Sequence, residues 1–493
     1  MKIRLIGHSY RYAAEQILLQ TLDGERPEFT EDAIPRGENG AVIRLFEGDG
    51  SARATARLAY NGERHFGAAQ TRLPEQGNGL ARDRDLQRII KLAFYRAAAK
   101  ATRRELPWGA TTGIRPSTLI TRRVREGVTL DEAEKRLKRI YYVTAERAAL
   151  ARGAAIAELD ARKTLAPQAI ALYLGIPFCP TRCAYCSFVS QSVEKSLALL
   201  PPFLDALHRE IDALAAALDG TGAEIVAVYI GGGTPTTLSA EQLDAVLAHL
   251  NAAFDLSRNR EFTVEAGRPD TITAEKLAAM KARGVTRVSV NPQTMRDGVL
   301  RAIGRNHTTE DTYRAMELAR AAGFDVINMD LIAGLTDDDS AGFRDSLERV
   351  IALTPENITV HTLSLKRGSN LTLAGADIQG GLVSEMLNFA YGALRESGYA
   401  PYYLYRQKFT SGGFENTGWT KPDGENLYNI IMMDELRPVL ALGGGVNKLI
   451  APTGRIKRLF NPKYPYEYIE RIGDIIDRKL EIREFLGGLY NGT

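Results

Sequence analysis

From residue 169 the chain repeats one grammar, a short apolar run followed by a longer amphipathic stretch. The runs are AIALYLGI (core 170–176), EIVAVYIGG, EFTVEAG, TRVSVNP, DVINMDLIAG and NITVHTLSL. Between them, helical periodicity falls near 195–218, 239–253, 273–283, 309–322 and 341–353. Parallel strands need a long crossover, and a helix is the usual one. The alternation therefore predicts an α/β fold with a parallel sheet, and six units predict a partial (β/α)6 barrel. Chemistry in such a barrel sits at the C-terminal ends of the strands.

The rest of the chain reads differently. Residues 1–60 give short strands (KIRLIG, AVIRLF, ARATARLAY) and a helix near 12–22, and 83–105 and 130–163 are helical. At 493 residues the chain is too long for one ordinary core. The expected parts are an N-terminal α/β accessory domain at 1–165, a barrel at 166–400 and a C-terminal extension at 401–493 covering the active site. That extension is Tyr-, Gly- and Asn-rich to 450 and closes with a helix near 464–484. Lys and Arg number 63 against 60 Asp and Glu, a balance that predicts no nucleic acid or acidic lipid as a bulk partner. No run is apolar enough to span a membrane, and no secretory leader is read at the N-terminus. With three cysteines and no disulfide framework, a reducing cytoplasm is expected.

Those three cysteines, Cys179, Cys183 and Cys186, stand in GIPFCPTRCAYCSF directly after the first strand of the barrel. Structural thiols would be spread through a core. Structural zinc wants four closed ligands, and an electron-transfer cluster wants four thiolates. A cubane on three cysteines leaves one iron open to a small chelating ligand, so the pattern favours a catalytic cluster.

Other strand ends carry polar groups. YIGGGTPT follows the second strand, and Gly231, Gly232 and Gly233 read either as a tight turn or as a place where backbone approaches a ligand. Glu265 ends the third strand, Arg287 and Gln293 flank the end of the fourth, and Arg305 precedes a helix in IGRNHT. Asp330 lies inside the apolar INMDLI and must be paired or hydrogen-bonded there.

The C-x3-C-x2-C spacing with an aromatic before the last Cys resembles the radical S-adenosylmethionine (SAM) signature. YLGIPFCPTRCAYCSF, GGGTPT, EFTVEAG, RVSVNPQT, GRNHT and NMDLIAGL resemble the oxygen-independent coproporphyrinogen III oxidase group. LPWGATTGIRP and YRQKFTSGGFENTGWTKPDGENLYNI resemble its HemZ branch. The resemblance covers roughly 166–450 and implies a radical SAM barrel with a [4Fe–4S] cluster on the three cysteines. It implies a SAM site lined by Tyr173, Gly232, Gly233, Glu265, Gln293, Arg305, Asp330 and Ser364, with Tyr185 by the adenine. The implied reaction converts two propionates of coproporphyrinogen III to vinyls by hydrogen abstraction and loss of CO2. It needs a flavodoxin- or ferredoxin-like reductant for the cluster and an electron acceptor. A heme chaperone, or a radical enzyme on another substrate, shares the same core motifs. The chain departs from the group in three ways: Gly175 replaces the usual His, Cys186-Ser187 replaces C-x-C, and no C-terminal helical domain is found. Either the N-terminal domain replaces that cover or the substrate differs.

A tetracarboxylate substrate would need several cations. Candidates are Lys366, Arg367, Arg406, Lys408 and Arg115, each otherwise a solvated surface cation. Tyr402, Tyr403, Tyr405 and Trp419 read as macrocycle contacts or as core, and His361 as a donor to the substrate or a satisfied core histidine.

Overall fold

A computed structural model describes residues 1–22, 24–73, 79–113, 115–186, 191–192, 196–364, 380–406 and 413–490. Contacts divide them into two units, Met1–Arg152 with Arg406–Glu415, and Gly153–Tyr405 with Asn416–Thr493.

The first unit is built on a five-stranded sheet of β1 (Lys2–Ile6), β2 (Glu28–Phe29), β3 (Gly40–Gly48), β4 (Ser51–Tyr60) and β5 (Glu63–Arg72). Its order is β2-β1-β3-β4-β5, with β1 parallel to both neighbours and β3 to β5 an antiparallel meander. In β4 (SARATARLAY), Ala52, Ala54, Ala56 and Leu58 are buried and their neighbours are not. That period of two makes one face core and leaves the other to solvent. The helix Gly79–Thr102 covers the inner face. It lies so close to β5 that a Cβ on Gly67 would stand 2.1 Å from the Ala93 carbonyl oxygen. The stretch expected as one helix over 130–163 is two, Leu130–Tyr141 and Ala145–Thr164. Tyr142 stops the first in a left-handed conformation, with φ +60°.

The second unit carries the expected barrel sheet: β6 (Ala169–Ile176), β9 (Glu224–Gly232), β10 (Glu261–Glu265), β11 (Arg287–Ser289), β12 (Val326–Ala333) and β13 (Asn357–Thr362). These six are parallel and adjacent in chain order, as successive βα units require. The crossovers include the helices Leu200–Leu218, Ala240–Ala253, Ala274–Ala282, Thr309–Ala321 and Ser340–Ala352. Ser239 and Thr308 open two of them with capping boxes, satisfying amides the first turn leaves unpaired. Between β6 and β9 lies a two-stranded pair, β7 (Phe178–Cys179) with β8 (Gln191–Ser192).

The described residues of 401–450 hold more regular structure than their composition suggests. They hold β14 (Ala400–Arg406), β15 (Glu415–Thr420), the helix Leu427–Asp434, β16 (Val439–Gly443) and β17 (Val446–Ile450), followed by β18 (Ile456–Phe460). Antiparallel β15 joins β13, and parallel β16 joins β6. β16 is buried throughout, and a five-residue apolar run has no period that separates strand from buried helix. The single closing helix expected near 464–484 is three, Pro465–Glu470, Ile472–Asp477 and Lys479–Tyr490. The first and last are anchored on Glu210, which is fully buried in Leu200–Leu218. Glu210 accepts from Gly443 N (2.7 Å), Asn461 Nδ2 (2.8 Å), Tyr468 Oη (2.6 Å) and Lys479 Nζ (2.6 Å). No described helix is long and apolar enough to cross a membrane.

Candidate active site

The cysteine segment leaves the C-terminal end of β6 and is held from two sides. On one side Gly233 N donates to Ile176 O and Thr234 N to Phe178 O, each at 2.7 Å. Thr234 Oγ1 also lies 3.4 Å from Cys179 Sγ. On the other side Ala184 N donates to Ile303 O (3.0 Å) and Thr181 Oγ1 to Gly304 O (3.1 Å). Cys183 is buried, and Cys179 and Cys186 are half-buried. Among the described residues, no group of three or more His, Cys, Asp or Glu side chains is gathered closely enough to hold a metal ion. The segment brings the three thiols onto one loop.

Sequence reasoning missed Arg268, three residues past Glu265. It is buried, with Nη1 at 3.5 Å from Cys183 Sγ and Nη2 at 3.0 Å from Thr181 Oγ1. Asp270 fixes it through Nε at 3.2 Å. The only signal in the sequence was an Arg just beyond a strand's C-terminal end. Arg305 is buried on the same side, donating to Asn291 O (2.7 Å), Gly267 O (3.2 Å) and Tyr185 Oη (3.2 Å). Burial would lower its pKa, but Tyr185 and Cys183 outweigh that and raise it. Tyr185, Arg305 and Cys183 thus form one cluster, with Arg268 against the same sulfur.

A second cluster joins the ends of β9, β10, β12 and β13. Tyr229 hydrogen-bonds Glu265, and Tyr173 and Tyr428 stack with Tyr229 at centroid distances of 6.3 and 4.4 Å. Burial, together with the charge of Asp330, pushes the Glu265 carboxyl up to about 7 in spite of the Tyr229 bond. Burial would raise Asp330 too, but the hydrogen bond and charge of His361, aided by Asn328 and Thr359, hold it below the usual range. His361 Nε2 stands 3.5 Å from Asp330 Oδ2, and Nδ1 3.3 Å from Asn416 Oδ1. Burial would lower His361, but Asp330, Asn416 and Glu265 raise it. The site therefore holds one carboxyl poised near neutrality and one kept ionised by a histidine.

The glycines set the distance between these groups. Gly232 has φ +106°, a conformation L side chains rarely adopt. A Cβ on Gly231 would stand 2.9 Å from the Glu265 carboxyl carbon, and one on Gly233 2.4 Å from Phe178 O. Gln293, buried with φ +69°, donates its backbone N–H to Asp330 O at 2.9 Å and continues the sheet there. Ser364 lies two residues beyond β13 and is half-buried. Gly175 has a local reason. A Cβ there would stand 2.8 Å from the Gly444 carbonyl oxygen, because the turn after β16 crosses it, so a histidine has no room.

Several expectations are corrected. Arg287 opens β11 rather than flanking its C-terminal end, and it donates to Asn357, Gly424 O (2.5 Å) and Glu425 O (3.4 Å). Arg406 is no free substrate cation. It is 5% exposed, donates to Gly413 O (2.6 Å), Thr111 O (2.7 Å) and Thr111 Oγ1 (2.9 Å), and lies over the Trp108 ring. Burial drops its pKa to about 10. Tyr402, Tyr403 and Trp419 are buried core, and Tyr405 is half-buried beside Tyr403. Lys366, Arg367 and Lys408 lie outside the described residues.

Residues 173–347 match the Radical SAM superfamily. The oxygen-independent coproporphyrinogen-III oxidase-like protein HemZ of Bacillus subtilis is 39% identical over 389 residues, 76% of this chain and 77% of that protein. The heme chaperone HemW of B. subtilis is 37% identical over 194 residues, 39% of this chain and 49% of that protein. The solved coproporphyrinogen III oxidase HemN of Escherichia coli, a radical SAM enzyme, superposes with a TM-score of 0.51 at 21% identity. It covers 68% of this chain and 79% of its own, and shares the fold. The chain belongs to the radical SAM superfamily and, within it, to the oxygen-independent coproporphyrinogen III oxidase group with its HemZ-type members. The cofactors of this superfamily are a [4Fe–4S] cluster and SAM. The residues present fit them. The chain's three thiols share one loop, and a cation stands against Cys183.

Proposed function

We propose that the protein carries out the oxygen-independent oxidative decarboxylation of coproporphyrinogen III to protoporphyrinogen IX. The observation that carries this reading is the 39% identity to the HemZ protein across three quarters of both chains. When bound, the cluster and SAM supply a reducing electron and a 5′-deoxyadenosyl radical that abstracts hydrogen. Cys179, Cys183 and Cys186 hold the cluster, and Arg268 sets a positive charge against a ligand set that is anionic once metallated. The clamp of Gly233 on Ile176 and of Thr234 on Phe178 fixes where that loop stands. Tyr173, Tyr185, Gly232, Glu265, Gln293, Arg305, Asp330 and Ser364 line the SAM site. The Asp330 carboxylate, kept ionised by His361, suits ribose hydroxyls, and the Glu265 carboxyl beside the glycines suits an amino group. A propionate loses its β-hydrogen atom, then CO2 and one electron, so a reductant for the cluster and an electron acceptor are required partners.

Relatives named heme chaperone HemW support a second reading, in which the barrel carries heme and releases no product. One anaerobic assay separates the two. Reconstituted protein is given reductant, SAM and coproporphyrinogen III, and 5′-deoxyadenosine and protoporphyrin are followed together. Both products, lost in Cys183→Ala, are expected. Deoxyadenosine without a vinyl product would move the proposal to another substrate, and tight heme binding with neither product would replace it with the chaperone reading.

A further inference from the structure

The first unit contains a cavity of about 500 Å³ built wholly from residues 81–141. Its walls come from four places: the helix Gly79–Thr102, residues 110–113 with 115–116, the helix Thr118–Arg125 and the helix Leu130–Tyr141. Ala110, Ala133, Leu137 and Ile140 give it apolar lining. Seven arginines and lysines line it against two carboxylates, Asp85 and Glu126. The whole chain carries only +3, so this is a local concentration of charge.

The two carboxylates are already engaged, Asp85 with Arg88 at 3.0 Å and Glu126 with Arg123 at 2.6 Å. Arg122 and Arg136 are half-buried and meet no carboxylate among the described residues. Burial lowers the Arg136 pKa, and the charges of Arg123 and Arg88 lower it further. Like charges crowded at half-buried positions, as around Arg122 and Arg136, cost free energy, and a bound anion relieves that cost. Guanidinium forks match carboxylate and phosphate oxygens in pairs. Cations contributed by separate elements around an apolar lining suit several anionic groups spaced on one small body.

We propose that this cavity is a binding site for a small polyanion carrying two or more carboxylate or phosphate groups, with Arg122 and Arg136 as its principal contacts. This proposal stands on the first unit alone and does not depend on the porphyrinogen reading.

The test uses the full-length protein with its cluster, titrated by calorimetry with sodium tripolyphosphate, with ATP and with coproporphyrin III. At least one probe is expected to bind, with affinity falling as salt rises. Arg122→Gln/Arg136→Gln should weaken it at least tenfold and flatten the salt dependence. Uncoupled 5′-deoxyadenosine formation should be unchanged in that variant. Binding of the phosphates alone, or of the tetracarboxylate alone, identifies which chemistry the site takes. A second readout needs no ligand. Arg136→Gln removes one of several crowded charges, so the unliganded variant should melt no lower than the parent. No binding by any probe, or equal affinity in the double variant, overturns the proposal, and so does marked destabilisation by Arg136→Gln.

Discussion

Gly233→Ala isolates the clamp that positions the cysteine loop. Gly233 has no unusual φ, so the substitution acts through space alone. The new Cβ would stand 2.4 Å from Phe178 O and 2.9 Å from Ile176 O, against 3.4–4 Å for ordinary contact. Both neighbours are backbone, so one chain must retreat by about 1 Å, at an overpacking cost of about 1–3 kcal/mol. The retreat stretches the two 2.7 Å hydrogen bonds that tie Gly233 and Thr234 to the residues before Cys179. A displacement of about 1 Å at a reacting centre costs roughly 100-fold in rate. The assay is anaerobic 5′-deoxyadenosine formation with excess reductant, normalised to bound iron. Gly220→Ala is the control, because Gly220 has φ +72° with nothing within 4 Å of a Cβ. It should lose about 1–2 kcal/mol of stability to backbone strain and keep its rate. Gly233→Ala should lose a similar amount of stability, about 1–3 kcal/mol, and in addition lose rate, iron retention or both. Full iron content with an undiminished rate in Gly233→Ala would refute the idea that this contact places the thiols.

Four further outcomes follow from the same contacts. Arg268→Ala should release cluster iron faster than the parent on chelator challenge, and Arg268→Lys should recover part of the difference; equal rates in all three would remove Arg268 from the site. Glu265 has its pKa raised by burial, so its protonated form favours folding below the ordinary carboxyl range and that advantage is lost as pH rises through about 7. The melting temperature of the cluster-free protein, relative to Glu265→Gln, should therefore fall from pH 5 to pH 8, and a flat difference would contradict the burial argument. Lys479→Met leaves the buried Glu210 charge short of its cation, and denaturant unfolding should show a loss of about 3–5 kcal/mol. Arg406→Ala removes three hydrogen bonds inside the first unit, so it should destabilise by about 2–4 kcal/mol without a selective change in substrate KM.

Much of the barrel was legible in advance because its signals are local. Each strand of the barrel is a short apolar run beside a helix-period stretch, and the chain order of those runs is also their order in the sheet. The three cysteines were legible for a related reason, since a ligand set within eight residues is a spacing that one loop can carry. Glu265 and Asp330 could be singled out because a carboxylate at the end of, or inside, an apolar strand needs a partner.

The partners themselves were not legible. His361 reaches Asp330 across adjacent strands, and Arg268 reaches Cys183 across 85 residues of sequence. Nothing in the local pattern distinguishes Arg268 from Arg287, which sits at the opposite end of its strand, or from Arg406, which reads as a substrate or solvated cation and is buried over Trp108. β16 was hidden because five apolar residues have no readable period, yet its pairing with β6 explains why residue 175 must be glycine. Sequence by itself determined the order of elements, the cysteine loop and the residue types at the strand ends, because these depend on neighbours in the chain. Tertiary structure decided which carboxylate is neutral, which arginine meets a sulfur and where cations crowd, because burial and charge pairing depend on neighbours in space.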